Sequence, residues 1–285
     1  MPPRRHSCHA HARAATPPSA KALQAAREHI VAIEKRNGGR LGVAVLDTGS
    51  GAHVEHRANE RFPMCSTFKF LAAAAILERV DAGKARLDQE IPYGPSDLLT
   101  YAPVTKAHVG AGSMTLGELC AAAIEWSDNT AANLLLGVIG GPTAVTQYAR
   151  SIGDAVTRLD RTEPTLNTAI QGDARDTTSP DAMLHDMKAI LLGDALSARS
   201  QQQLEAWMVD DKVSANRLRA GLPSSWRIGD KTGSGDNGTA NTIAILWPPR
   251  RAPILATVYL TESPSSVEIR NAVHADVGRI IAETF

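Results

Sequence analysis

The stretch WRIGDKTGSGDNGTANTIAILWPPRRAPILATVYL, residues 226 to 260, decides how this chain folds. WRIGDKTG (226 to 233), NTIAILW (241 to 247) and PILATVYL (253 to 260) are rich in β-branched and aliphatic residues, and the Gly/Asn/Asp and Pro/Arg connections between them are too short to hold a helix. Strands joined that tightly run antiparallel. At the other end of the chain, LGVAVLD (41 to 47) and AHVEHR (52 to 57) flank Thr48-Gly49-Ser50-Gly51 and read as a β-hairpin.

Helical spacing fills the rest. SAKALQAAREHIVAIEKR (19 to 36) repeats Leu23, Ala26, Ile30 and Ile33 on one face and stops at Asn37-Gly38-Gly39. From Ser66 to about Val80 the run of Ala, Leu and Ile lacks a polar stripe, which predicts a helix buried on nearly all sides. Residues 85 to 220 alternate helical stretches with Pro/Gly-rich connections and hold no convincing run of strands. Thr115 and Glu118 predict a capping box, residues 128 to 139 an apolar helix closed by Gly140-Gly141-Pro142, and residues 265 to 284 a final helix. The expected fold is α/β in the α+β sense: an antiparallel five-stranded sheet built from both termini and flanked by helices, beside an all-helical subdomain. The expected boundaries are a disordered tail over 1 to 18, a sheet subdomain over 19 to 60 and 212 to 285, and a helical subdomain over 61 to 211. Residues 160 to 180 fit no regular element. A connection that long inside a compact protein is commonly functional, and Arg161 and Asp176 near its ends are placed to pin it closed.

Composition narrows the partners. The 285 residues are 43% hydrophobic and 21% charged, with 30 Lys+Arg against 30 Asp+Glu, so no basic surplus points to nucleic acid or an anionic membrane. No apolar run reaches the ~18 residues of a membrane span. The expected partner is a small molecule or another protein. The first twenty residues are basic and Pro/Ala-rich, without the apolar segment of a secretory signal. His6, His9 and His11 there read as part of a tail rather than a metal site. Cys8, Cys65 and Cys120 match no disulfide scaffold and no zinc spacing.

Three short motifs carry chemistry. In MCSTFKF (64 to 70), Ser66 precedes Lys69 by three residues, so on a helix the two share a face. A serine hydroxyl is a weak nucleophile until a base takes its proton, and a lysine whose pKa is lowered can serve. Ser127-Asp128-Asn129 opens the apolar helix at 128, where each residue type also suits an N-cap. Lys231-Thr232-Gly233 ends a strand. Ser-x-x-Lys alone arises by chance roughly once in a chain this long and each tripeptide in about one chain in ten or fewer, whereas the ordered trio is expected on the order of once in several hundred chains.

Ser-x-x-Lys, Ser-Asp-Asn and Lys-Thr-Gly in this order closely resemble a class A serine β-lactamase. The resemblance runs from about residue 21 to the C-terminus and includes RTEPTLN (161 to 167), RDTT (175 to 178) and SDNTAANLLL (127 to 136). It implies a β-lactamase/transpeptidase-like fold with the active site between the two subdomains and an Ω-loop over residues 160 to 176, held by the Arg161 and Asp176 pair. It implies Ser66 as nucleophile, the backbone N–H groups of Ser66 and Ser234 as oxyanion hole, and Lys69, or Glu163 through a water, as the base for acylation. Ser127 relays a proton to the lactam nitrogen, Lys231 supplies positive charge, and Asn129 bonds the substrate's side-chain amide. Glu163 with Asn167 positions the deacylating water. Thr232, Ser234 and Arg217 receive the substrate carboxylate, Arg217 standing in for an arginine that many relatives carry where this chain has Ala240. Tyr101 resembles an aromatic gatekeeper, and Asn271 is placed near the carboxylate. The implied substrates are small-molecule β-lactams, penicillins and cephalosporins, with no cofactor or metal, in a periplasmic monomer.

Cysteine usage departs from two branches of that family. The positions that would pair with Cys65 and Cys120 read Gly235 and Ala73, so both are expected as free thiols. GSGDNG (233 to 238) matches a dinucleotide fingerprint, but a strand follows it where such a turn must open a helix. No G-x-S-x-G is present. A D-alanyl-D-alanine peptidase or a β-lactam sensor would share the acylation residues; Glu163 argues against both.

Overall fold

The computed structural model describes residues 17–285, so His6, His9, His11 and Cys8 lie outside the described residues. The chain opens with α1 (Ala20–Asn37), where the Ser19 hydroxyl accepts the Ala22 N–H as N-cap, then β1 (Arg40–Asp47) and β2 (His53–His56). β3 (Phe62–Pro63) leads through a 3₁₀ turn, Cys65–Thr67, into α2 (Phe68–Asp81). The middle holds β4 (Glu90–Pro92), α3 (Thr105–His108), β5 (Ser113–Thr115), α4 (Leu116–Glu125), α5 (Asn129–Ile139), α6 (Pro142–Ser151), β6 (Thr177–Thr178), α7 (Pro180–Leu191) and α8 (Ala198–Val209). It closes with β7 (Arg227–Gly235), β8 (Thr239–Trp247), β9 (Ile254–Thr261) and α9 (Val267–Thr284).

Five strands form an antiparallel sheet in the order β2-β1-β9-β8-β7. β1 lies between its hairpin partner and the last strand of the chain, with Leu41 opposite Leu260 and Val45 opposite Ala256. Side chains along a strand alternate between faces, and on β8 this splits the core. Ala244 and Leu246 pack with Ile30, Val258 and Val277 under α1 and α9, while Ile243 and Ile245 join Phe62, Leu71, Leu255 and Tyr259 on the side of α2 and the other middle helices. Both faces are covered, which is why the strands read as continuous apolar runs.

The capping box is present: Thr115 Oγ1 accepts the Glu118 N–H, and Glu118 Oε2 accepts the Thr115 N–H. GSGDNG forms the end of β7 and the tight turn into β8, not a nucleotide-binding turn. The expectation of a middle without strands needs correction. β3 pairs with β6 and β4 with β5 in two-stranded ladders too short to show any periodicity. No helix among the described residues is long and apolar enough to cross a membrane.

Candidate active site

Three elements converge at one end of the sheet. The first is α2, whose residues from Phe68 to Leu77 are all buried, so that it is a core helix rather than a surface one. Ser66 sits in the 3₁₀ turn before it, 8% exposed, and Lys69 lies one turn on with no exposure at all. A buried ammonium needs partners. Lys69 Nζ donates to Ser127 O at 2.8 Å and Asn129 Oδ1 at 2.6 Å, and pairs with Glu163 Oε1 at 3.1 Å. Burial pulls its pKa down and Glu163 opposes the fall. The expected face shared by Ser66 and Lys69 therefore closes through a third residue: Ser66 Oγ donates to the same Glu163 Oε1 at 3.4 Å.

The second element is the turn between α4 and α5. Asp128 takes the capping work, accepting from Ala131 N at 2.9 Å and from Val104 N, Thr105 N and the Thr105 hydroxyl. That leaves Ser127, at φ +56, and Asn129 free to face the cleft.

β7 is the third. Lys231 is fully buried, and its Nζ donates to Ser127 Oγ at 3.0 Å and Thr232 O at 2.7 Å. Burial, and then the charge of Lys69, draw it down to about 7. β7 approaches the 65–67 turn because position 233 has no side chain. A Cβ on Gly233 would stand 2.9 Å from Met64 O and 3.1 Å from the Ser66 nitrogen.

The 160 to 176 loop closes the floor. Arg161 Nε donates to Asp176 Oδ2 at 2.5 Å, and the Asp160 and Arg161 N–H groups donate to Oδ1 at 2.8 and 2.9 Å. Asp176 O in turn accepts Met64 N at 2.9 Å, so the neck of the loop is bonded to the residues just before Ser66. Glu163, 3% exposed, is gripped by Asn133, whose amide donates to Glu163 O and accepts from Glu163 N, both at 2.9 Å. Asn167 Nδ2 donates to Glu163 Oε2 at 2.5 Å. The sequence reading missed Asn133; its only signal was a polar residue inside the apolar run SDNTAANLLL.

A cleft of about 320 Å³ opens above these groups, bounded by Ser66, Tyr101, Ser127, Asn129, Asn167 and Ser234, with Thr232 beside them. Arg217 reaches it from the segment before β7. Its guanidinium donates to Gly233 O and Asn241 O, both at 2.7 Å, and to Ser234 Oγ at 2.6 Å. Burial draws Arg217 down to about 10, which leaves it cationic at any working pH. Asn271 Oδ1 accepts Arg217 Nε at 3.0 Å, so this residue holds the arginine. Tyr101, 47% exposed, stands at the rim with its hydroxyl on Trp126 O at 3.0 Å. Cys65 and Cys120 are buried free thiols, and a Cβ on Gly235 would meet Cys65 Sγ at 2.6 Å. Among the described residues, no cluster of His, Cys, Asp and Glu gathers to hold a metal ion.

A hydroxyl bonded to a buried carboxylate, with two buried ammonium groups behind it and a guanidinium at one end of the cleft, suits acyl transfer to serine followed by hydrolysis. Comparison with known proteins agrees. Residues 24–285 match the β-lactamase enzyme family. The chain is similar to β-lactamase CTX-M-8 of Citrobacter amalonaticus, with 49% identity over 91% of this chain and 89% of that protein. It is similar to β-lactamase L2 of Stenotrophomonas maltophilia, with 50% identity over 94% of this chain and 88% of that one. An ancestral (GNCA) class A β-lactamase superposes with a TM-score of 0.90 at 60% identity, covering 91% of this chain and all of its own.

Proposed function

The chain belongs to the class A serine β-lactamases, and from that membership we propose how its side chains open and hydrolyse a β-lactam. Ser66 Oγ attacks the lactam carbonyl carbon, and the C–N bond breaks to leave an acyl-serine ester. The hydroxyl proton goes to the Glu163 carboxylate. The 3.4 Å bond between those two groups supports this, while Lys69 Nζ is engaged by Ser127, Asn129 and Glu163. Ser127, bonded to Lys231, delivers a proton to the departing nitrogen. The Ser66 and Ser234 N–H groups receive the developing oxyanion. Arg217, Ser234 and Thr232 bind the substrate carboxylate, Asn129 its side-chain amide, and Tyr101 flanks the entrance.

Hydrolysis then depends on a water between Glu163 and Asn167. Once the proton taken up in acylation has passed from Glu163 through Lys69 to reload Ser127, Glu163 takes a proton from this water, the hydroxide adds to the ester carbonyl, and collapse expels the Ser66 oxygen, which recovers that proton from Glu163. One observation carries this reading: Glu163 presents Oε1 to both Ser66 and Lys69 and Oε2 to Asn167, so one carboxylate serves both halves of the cycle. Penicillins and cephalosporins are the substrates in this reading, with antibiotic resistance as the outcome and a periplasmic monomer as the working form. Cell fractionation and size-exclusion chromatography test the last two points.

The deciding experiment follows a chromogenic cephalosporin in large excess while mass spectrometry tracks the protein. Many turnovers with transient acylation are expected. Glu163→Gln should lower kcat by roughly 10³-fold and, with Lys69 left to serve as the base for a slower acylation, hold the acyl adduct on Ser66. A single stoichiometric burst in the unaltered protein would instead mean a sensor or peptidase.

A further inference from the structure

Away from the cleft, α7 carries a carboxylate that the mechanism does not use. Asp186 is 0% exposed, and neither of its oxygens meets a protein hydrogen-bond donor. An ionised carboxylate accepts only, and isolating one in a core is costly. Its polar neighbour is another acid, Asp154, whose segment meets α7 where Ile152 O accepts from His185 Nε2 at 3.1 Å.

The two acids are unlike. Asp154 Oδ1 accepts from Val156 N at 2.6 Å and Thr157 N at 3.0 Å, which holds its carboxyl in the anionic form against the upward pull of burial. Two carboxyl groups in contact can bond only if one supplies a proton. Asp186 is that one, because it alone lacks donors. The other charged or titratable groups near it do not change this. Arg150 on α6 spends its guanidinium on the backbone oxygens of Asp154 and Thr157, at 2.6 and 2.8 Å. Tyr148 on α6 has a buried hydroxyl without a partner, and Tyr259 on β9 is bonded to Thr67. Burial and the negative charge of Asp154 accordingly push Asp186 up to about 10.

The pair stands at the root of the Ω-loop. From Asp154 the chain runs to Thr157, whose hydroxyl meets that of Thr178 at 2.7 Å, and to Arg158, whose N–H donates to Thr177 O at 3.0 Å. Residues 157 and 158 thus zip the incoming limb of the loop to the outgoing one, and α7 follows directly at Pro180. We propose that Asp186 is a neutral carboxylic acid that donates its proton to Asp154, locking α7 to the root of the Ω-loop, and that loss of this proton loosens the loop. The second half rests on the role proposed above for Glu163, which that loop carries.

Infrared difference spectroscopy of the unaltered protein against Asp186→Asn at about pH 8 reads the proton directly, since free carboxyls are ionised there. The C=O stretch of a neutral carboxylic acid should be present, absent in Asp186→Asn and unchanged in Glu163→Gln; its absence from the unaltered protein overturns the assignment. Asn can donate the same bond without titrating, so its Tm advantage over the unaltered protein should grow by several degrees between about pH 5 and pH 9. A constant difference counts against the shared proton. Raising the pH should also increase the fraction of protein acylated at steady state in the unaltered chain but not in Asp186→Asn. Equal rises in both overturn the link to the loop, whereas a Glu163→Gln protein that fails to retain its adduct overturns the deacylation role and leaves the infrared result standing.

Discussion

Lys69 and Lys231 are both cut off from water, yet only Lys69 has a carboxylate against it. Lys231 has a hydroxyl and a carbonyl for partners, so burial and the neighbouring ammonium bring it to about 7. In the empty site its charge is lost as pH rises past that value. A substrate carboxylate would favour the cation again. The parameter kcat/KM reports the free enzyme, and it should fall by roughly tenfold per pH unit above about 7. Lys231→Arg should flatten that limb, because a guanidinium keeps its proton. An unchanged alkaline limb in a pH–rate profile would assign the titration to another group. Asn133 makes a second prediction at this scale. Its two bonds to the Glu163 backbone are worth about 1 kcal/mol each, so Asn133→Ala should lose about 2 kcal/mol in urea unfolding and let the acyl-enzyme accumulate.

The 160 to 176 loop behaves as an element although it has almost no regular structure. Its cohesion comes from Asp176, 1% exposed at the side chain, which collects the Arg161 guanidinium and two backbone N–H groups. Arg161→Ala leaves that carboxylate buried with part of its complement gone. A loss of about 3 kcal/mol is expected, with deacylation slowed more than acylation in single-turnover kinetics. This pair was legible in the sequence because the loop was too long and too polar to be a plain connection. α1, α2, α5, α9 and the five sheet strands were legible for a different reason: period and stop signals recur over enough residues to stand out, as at Asn37-Gly38 and Gly140-Gly141. β3 with β6 and β4 with β5 were not, since two or three residues carry no period. Asn133 and the proposed pairing of Asp154 with Asp186 were hidden likewise, because they join distant segments by side chains that leave no spacing to read.

Across the whole molecule, stability at low pH draws on a residue outside the site. His274 on α9 is fully buried between Thr242 Oγ1 and Ala240 O, each at 3.0 Å, and burial lowers its pKa to about 3. The unfolded chain titrates this group near 6.5. Stability from the neutral ring is therefore fully present above about 6.5 and drains away as pH falls toward 3. His274→Gln, which can keep both bonds without taking a proton, should shift the acid-unfolding midpoint downward by circular dichroism; an upward shift or none would remove His274 from the account. The backbone ladder of the same sheet ties β1 to β9 across more than two hundred residues of chain. A ribosome adding about 5–20 residues per second releases the N-terminal hairpin many seconds before its neighbour exists. Until Ile254 to Thr261 emerge, β1 has an open edge and no finished sheet to hold Lys231 against Ser127, so a nascent chain interrupted before that point is both inactive and exposed to mispairing with its own kind.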